Sequence, residues 1–370
     1  MGFADCKLSI RPEAPNHKKR RETTMAQSGI GSLMAPSRRA LLGGLGGALL
    51  ATPFIRRANA GTPDFTLKLG NDAASSHPMN IRLAEAQAKI TERSNGRMAL
   101  QVFPDEQLGS DTDMMSQVRS GAMEILSLSG NILATLLPVS GLYNMPFAFS
   151  KYDEVWPVMD GELGNYMRGK IETVGLHALE KHWDNGFRQI TSSTHPINTP
   201  ADMKGFKIRV PVSPLWLSLF KSLGASPTSI NFSETYTALQ THIVDGQDNA
   251  LTILETAKLF EVQKYCALTN HIWDGFYMLV NRRLWTRLPP DLQQILSEEI
   301  NAAAVKERAD VAALNEQLEA QLTKQGMIFN HPDLPAFRAT LVQSGFFAEW
   351  KQKYGDQSWA VLERAVGKLG

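Results

Sequence analysis

The sequence predicts an α/β protein of two lobes, and three observations carry that expectation. Strand-like and helix-like segments alternate along the chain after residue 60, an order that builds a parallel sheet covered by helices. The alternation is then repeated in the second half of the chain. Finally, Pro289 to Gln325 is one helix-prone stretch with no internal glycine or proline beyond its opening Pro289-Pro290.

Each element has its own signal. Phe65-Thr66-Leu67-Lys68-Leu69 alternates in polarity and reads as a first strand. Met79 to Glu92 reads as a helix ending near Gly96, and Met98 to Phe103 as a second strand stopped by Pro104. Asp111 is expected to cap a helix bearing Met114, Met115 and Val118 on one side, with Gly121 as its stop. Glu124 to Leu128 gives a third strand. In the second half, Phe206, Ile208 and Val210 alternate with Lys207 and Arg209, so Arg209 points away from the apolar side. Pro211 cannot donate to a continuing ladder and ends that strand. Arg209 therefore stands near a strand's C-terminal end, where open α/β sheets bind ligands. Pro214 to Leu223 is a helix closed by Gly224. Ser233 is expected to cap another, with Tyr236, Leu239 and Ile243 on one face. The last stretch, about 36 residues at about 1.5 Å each, would reach roughly 54 Å. Its apolar positions keep no strict seven-residue repeat, which favours a helix lying along both lobes over a coiled-coil dimer. A monomer is the expectation.

The first 60 residues stand outside this pattern. Ser37-Arg38-Arg39 is followed by a Gly/Ala/Leu run, and Ala58-Asn59-Ala60 supplies the small residues of a cleavage site. Residues 1–60 therefore read as a leader with a twin-arginine-type signal peptide, which implies a periplasmic protein. A membrane anchor is the competing reading. The uncharged stretch Ala40 to Ile55 has only 16 residues, with four glycines and Pro53 among them, against the roughly 20 that a span needs. The leader holds 10 of the chain's 38 basic and 3 of its 37 acidic residues, so the remainder carries 28 and 34, a net charge of −6. That acidic balance disfavours a nucleic-acid partner. Only Cys266 remains outside the leader, so no internal disulfide is available. The 310 residues that follow residue 60 are long enough to rely on a buried core.

Two arginines carry the functional signal. Arg188 lies in Asp184-Asn185-Gly186-Phe187-Arg188-Gln189-Ile190-Thr191, and Arg209 in Gly205-Phe206-Lys207-Ile208-Arg209-Val210-Pro211. Both segments read as strands. A guanidinium keeps its charge, and its planar fork matches a carboxylate with two parallel hydrogen bonds. Strands that carry such groups into a protected place are most simply read as holding an anion. A structural ion pair is the plain alternative, above all for Arg188.

The motifs, taken together, resemble the substrate-binding proteins of tripartite ATP-independent periplasmic (TRAP) transporters, the DctP-like family. The marks are Val102-Phe103-Pro104 with Gln107-Leu108-Gly109, Gln117-Val118-Arg119-Ser120-Gly121, Pro146-Phe147, Gly186-Phe187-Arg188 and the Arg209 strand. They continue with Gly224-Ala225-Ser226-Pro227-Thr228, Ser233 to Gln240, Val244-Asp245-Gly246-Gln247 and Trp273-Asp274-Gly275-Phe276. The resemblance implies a two-lobed, type II-like periplasmic binding fold that closes around its ligand, with a long helix bracing both lobes. Lobe I would span 61–186 with about 275–314 returning to it, and lobe II 187–274 with about 315–370. It also implies an organic acid as ligand and two membrane partners, the small and large DctQ- and DctM-like subunits. In the family, the arginine matching Arg209 pairs with the ligand carboxylate, the one matching Arg188 assists, and an asparagine matching Asn249 contributes. The usual Glu-Asn-Pro is here Asp248-Asn249-Ala250, so the lost proline leaves the hold on Asn249 open.

Residue chemistry agrees with that reading. An amide such as Asn249 can donate to a carboxylate oxygen. Phe232, Trp183 and Trp273 are expected to supply apolar walls, with core packing as the alternative for the tryptophans. Asn131, after Ser129-Gly130, is expected to read a distal polar group. An exported enzyme acting on a small carboxylate is the rival, with Asp184, Asp248 or His182 as acid or base. Against it, the sequence shows no nucleophile elbow, metal cluster or cofactor fingerprint. His177 and His182 lack metal-pair spacing.

Overall fold

The computed structural model describes residues 62–370. The expected leader, its arginine pair and its cleavage point lie outside the described residues. The strands are β1 (Phe65–Gly70), β2 (Met98–Phe103), β3 (Ile125–Ser129), β4 (Leu176–Ala178), β5 (Trp183–Ser192), β6 (Lys207–Val210), β7 (Ser226–Ser229), β8 (Gly246–Ala250), β9 (Tyr265–Ala267), β10 (Trp273–Asn281) and β11 (Ile328–Asn330). Their main path runs β2-β1-β3-β10-β5-β8-β6-β7.

This order contains two similar halves. On one side β1 lies between β2 and β3, all parallel; on the other β6 lies between β7 and β8, all parallel. Between them run β10 and β5, antiparallel to each other, with Phe276 opposite Trp183 and Trp273 opposite Phe187. β10 also pairs antiparallel with β3, and β5 with β8. Two long crossing strands thus join two parallel half-sheets, the two-lobed architecture expected of the chain. Both crossing strands are buried along nearly their whole length, which is why neither shows clean alternation in the sequence.

The long helix spans Pro290–Lys324, 35 residues. Its Leu292, Leu296, Ile300, Ala303 and Ala304 pack with β1, β2 and the helix Pro78–Arg93. Its Leu318 and Leu322 join a different core with Leu239, Leu254, Leu259 and Cys266. Midway, Glu307 accepts from the Asp184 backbone N–H at 3.0 Å. Arg308 donates to the His182 carbonyl at 2.8 Å and grips Asp160 with two bonds of 2.9 Å. The helix therefore lies along both halves and is clamped where β5 begins. The C-terminal helix Asp356–Val366 docks beside Glu162–Ile171, through Tyr166–Ser358 and Arg364–Glu162. Trp350 instead reaches Ser218, so the last segment touches both halves.

Two caps differ from expectation. Ser110, not Asp111, caps the helix Asp111–Ser120, in a capping box with Asp113. Asp111 is the first helical residue and is buried, facing the cavity described below. Ser233 sits inside a 3₁₀ turn, Phe232–Glu234, that leads into a short helix, Thr235–Gln240. That helix ends before Ile243, which is exposed. His242, at φ +57°, turns the chain away.

Candidate functional site

The ends of the parallel strands converge on one cavity. Asp72 follows β1, Ser129 and Asn131 close β3, Arg209 and Pro211 close β6, and Asn249 closes β8. Asn185 and Arg188 come from β5, and Asp274 and Phe276 from β10. The empty space between these side chains, counting the part open to solvent, is about 350 Å³. Strand C-termini from both halves of a switch-point sheet are where such sheets bind ligands.

Five of the seven residues singled out from the sequence line this cavity: Arg209, Arg188, Asn249, Phe232 and Asn131. Trp183 and Trp273 do not, which corrects their expected place as walls. Both are core residues, 0% and 1% exposed. Trp183 packs in the core of β1, β2 and the long helix. Trp273 sits among Tyr143, Phe149, Trp156 and His182, and its indole N–H is spent on Asp184 at 2.9 Å. The aromatic surface comes instead from Phe232 and Phe276. Phe276 lies three positions beyond Trp273, at the point where β10 opposes the start of β5.

The two arginines differ in what they hold. Arg188 is engaged by the protein itself: Nε to Asp248 at 2.7 Å, Nη1 to Asp274 at 3.1 Å, and Nη2 to the Asp248 carbonyl at 2.7 Å. Burial works against its charge, but Asp248 and Asp274 outweigh it and raise its pKa. Burial likewise works against the Asp248 carboxylate, yet Arg188 and His271 hold it below the usual range. Trp216 adds an indole N–H to Asp248 at 2.9 Å. The plain alternative, an ion pair, thus describes what the Arg188 guanidinium does in the protein alone. The rival acid–base role for Asp248 meets the same obstacle.

Arg209 is 2% exposed. Its Nε donates to the Ile230 carbonyl at 3.0 Å, and its guanidinium stands 5.8 Å from the centre of the Phe232 ring. Among the described residues its terminal nitrogens make no hydrogen bond and no ion pair. Burial, and then the Arg188 charge, push it down to about 10. A guanidinium that is buried, charged and without a counter-ion is the group most in need of an anion. Asn249 stands on the neighbouring strand, β8, whose Gln247 pairs with Arg209. Its Oδ1 accepts from the Ala250 N–H at 3.2 Å, a bond that a proline at that position could not make. The departure from Glu-Asn-Pro therefore supplies a local fastening, and the Nδ2 makes no hydrogen bond among the described residues.

Sequence reasoning missed the carboxyl groups. Asp72, Asp111 and Asp274 all line the cavity. Asp274 is a hub: Ser129, Asn144, Asn185, Asn131 and Arg188 all donate to it at 2.6–3.2 Å. Burial raises Asp72 to about 6 and Asp111 well above its usual range. Glu106, at the adjoining mouth, is raised to about 7, mainly by burial and then by Asp72. The signal that could have found Asp72 is positional: Gly70-Asn71-Asp72 sits just past the end of a strand in a parallel sheet. His182 is buried in an aromatic cage and its pKa is lowered by that burial. His177 lies against Trp285 and Glu172.

A two-lobed fold with an arginine-bearing cleft at the strand ends defines the class of a solute-binding protein. Residues 69–344 match the family model DctP, "Bacterial extracellular solute-binding protein, family 7", and the chain belongs to that family. It is 32% identical over 277 residues to the 2,3-diketo-L-gulonate-binding periplasmic protein YiaO of Escherichia coli, covering 75% of this chain and 84% of that one. It is 35% identical over 268 residues to the protein y4mM of Sinorhizobium fredii, covering 71% of this chain but only about half, 48%, of that one. A TRAP periplasmic solute-binding protein of Roseobacter denitrificans, solved with bound L-galactonate, superposes with a TM-score of 0.77 at 28% identity. That match covers 81% of this chain and 99% of the other. The protein is thus an extracytoplasmic solute-binding protein of the TRAP type that takes a small carboxylate and works with membrane components, and it is not an enzyme.

Proposed function

We propose that the protein captures its organic acid by pairing the ligand carboxylate with Arg209. The unpartnered fork of this buried arginine is the observation that carries the reading. In this reading Asn249 donates from Nδ2 to a carboxylate oxygen, Phe232 covers the apolar side of the pair, and Asn131 reads a distal polar group. Arg188 assists as a second positive charge, positioned by Asp248 and Asp274. The sugar acids named for the Escherichia coli and Roseobacter proteins support an organic acid here too.

Lobe I is assigned to 61–186 with about 275–314, and lobe II to 187–274 with about 315–370. Closure of the two about β5 and β10 would bury the acid. The loaded receptor, a monomer, then delivers it to the small and large DctQ- and DctM-like subunits. Export by the twin-arginine route rests on Arg38-Arg39 and the apolar run that follows them.

The test is mass spectrometry of solute released on denaturing the purified protein, followed by titration calorimetry of the recovered acid. Arg209→Ala is expected to weaken binding by ~30-fold to several thousand-fold, the effect of deleting one partner of a buried charge pair. An Arg209→Ala protein that binds the acid as tightly as the unaltered chain would overturn the assignment.

A further inference from the structure

The cleft has two rims, and one carboxyl group stands between them. On the first half, the loop after β2 carries Asp105 and Glu106, both at φ +54°, a conformation uncommon for residues other than glycine and one that its surroundings must hold. The Asp105 N–H donates to the Ala73 carbonyl at 3.0 Å and the Glu106 N–H to the Asn71 carbonyl at 3.1 Å. The Ser75 N–H donates to Asp105 Oδ2 at 3.1 Å. On the second half, the turn Phe232–Glu234 and the residues Thr256 to Leu259 form the facing rim. The rims meet where Thr112 Oγ1 donates to Asn231 Oδ1 at 3.5 Å. Glu106 lies next to that contact, half-buried, with Ser233 opposite it and its Oε1 without a partner among the described residues.

The charge balance of a closed cleft works against an ionised Glu106. Asp72 and Asp111 line the cavity behind it, and the three carboxyls repel one another. Asp105 adds a fourth acid on the same rim, and Lys258 stands exposed on the facing one. Arg188 is already matched by Asp248 and Asp274. Arg209 alone would have to serve Asp72, Glu106 and Asp111 as well as the carboxylate of an incoming acid. Bringing the rims together is favourable only if protons neutralise those side chains. Burial acts in the same sense: with Asp72 it pushes Glu106 up to about 7, and it lifts Asp72 to about 6 and Asp111 well above its usual range. Hydrogen bonding from the Asp111 N–H and from Ser233 offsets part of the rise at Glu106. Opening the rims returns these groups to water and to ordinary carboxyl acidity, about 4.

We propose that Glu106 is a proton-operated latch on the cleft. Protonated, it lets the rims meet over the bound acid; ionised, it drives them apart. Closing takes a proton from solvent and opening returns it, so the protein holds its acid more tightly at low pH and yields it as pH rises. The inference rests on the reading that the two halves close around the acid, and adds what controls that closure.

The window from pH 5.5 to 8.0 isolates the latch. The ligand carboxylate, at about 4, and Arg209, at about 10, keep their charges across it. Asp184, also pushed up to about 7, lies against the long helix and not at the mouth, and a variant separates it. The probe is the acid recovered from the purified protein, titrated by calorimetry into protein freed of solute by unfolding and refolding. Affinity is expected to fall about tenfold or more across the window. At pH 6, buffers of different ionisation enthalpy should show about one proton taken up for each acid bound. Glu106→Gln imitates the protonated form. It is expected to bind more tightly than the unaltered chain at pH 8.0 and to vary less than about fivefold across the window, with Asp72 supplying the remainder. The proton count needs no variant and stands even if Glu106→Gln folds poorly. Affinity that is level or rising with pH, no proton uptake at pH 6, or a Glu106→Gln profile as steep as the unaltered one overturns the latch. Small-angle X-ray scattering at pH 5.5, with and without the acid, separates the two readings. A radius of gyration that falls on adding the acid, together with a level pH profile, leaves closure standing and removes the latch. An unchanged radius removes closure itself, and the latch with it.

Discussion

Replacing either cleft arginine by methionine should move stability in opposite directions. Methionine keeps most of the apolar stem and removes the charge. In Arg188→Met, Asp248 and Asp274, both 0% exposed, lose their cation. Stranding buried partners costs about 3–5 kcal/mol. In Arg209→Met, a guanidinium driven down by burial to about 10 is removed, and its penalty is of order 3 kcal/mol. Against that stands the lost Nε bond to Ile230, about 1 kcal/mol. The net expectation is a solute-free protein about 1–2 kcal/mol more stable than the unaltered chain, and unable to hold its acid. Urea unfolding of solute-free protein at pH 7.5 measures both. An acid arm adds a second check. The Asp248 pKa is depressed in the folded state, so its contribution is fully present above the unfolded carboxylate value, about 4, and is lost as pH falls through the folded value. The gap between the unaltered chain and Arg188→Met should therefore narrow in acid. Destabilisation by Arg209→Met of more than about 1 kcal/mol would refute the claim that this arginine is kept for its ligand at the expense of the fold.

Further outcomes follow from the same contacts. Burial raises the pKa of Asp72 to about 6 and of Glu106 to about 7, so the folded protein holds more protons than the unfolded chain from about pH 4 up to these values. Their contribution falls across that window, and the urea midpoint of solute-free protein should be lower at pH 8 than at pH 5; a midpoint flat or rising with pH contradicts it. Arg308→Leu cuts the double bond to Asp160 and the contact with Trp156, whose ring centre lies 4.0 Å away. It should cost about 2–4 kcal/mol in thermal unfolding; a loss under about 0.5 kcal/mol would show the clamp to be idle. Trp183→Phe should lower stability by about 1–2 kcal/mol while leaving acid affinity within about threefold, as fits a core residue. A large affinity loss would return Trp183 to the cleft.

The sequence was most readable where one face of an element meets the core and the other does not. β2 begins and ends where expected because its residues alternate in exposure, and the long helix was legible from composition alone. Arg209 stood out because Ile208 and Val210 bracket it on a short strand. Readability failed where both faces are buried. Along β10 all nine residues are buried, so nothing in the pattern says that Phe276 meets the cavity while Trp273 turns into the core. It failed also where two neighbours can play one part: Ser110 and Asp111 are both good caps, and only the fold shows that Ser110 took the role. The cleft carboxyls were illegible for a third reason. Asp72, Asp111 and Asp274 come from separate elements, and only the sheet order brings them together.

That sheet order also decides when the protein can be finished. β3 needs β10 beside it, and Leu126 pairs with Leu279, more than 150 residues later. As the chain is synthesised, the first half-sheet is made early but keeps a bare hydrophobic edge until β10 emerges. Contacts so distant in sequence make folding slow, and an unpaired edge invites other strands to add to it. A chain released short of Asn281 cannot complete even its first lobe. The vulnerable interval in this protein's life is therefore its own translation, and it ends only when the second crossing strand arrives.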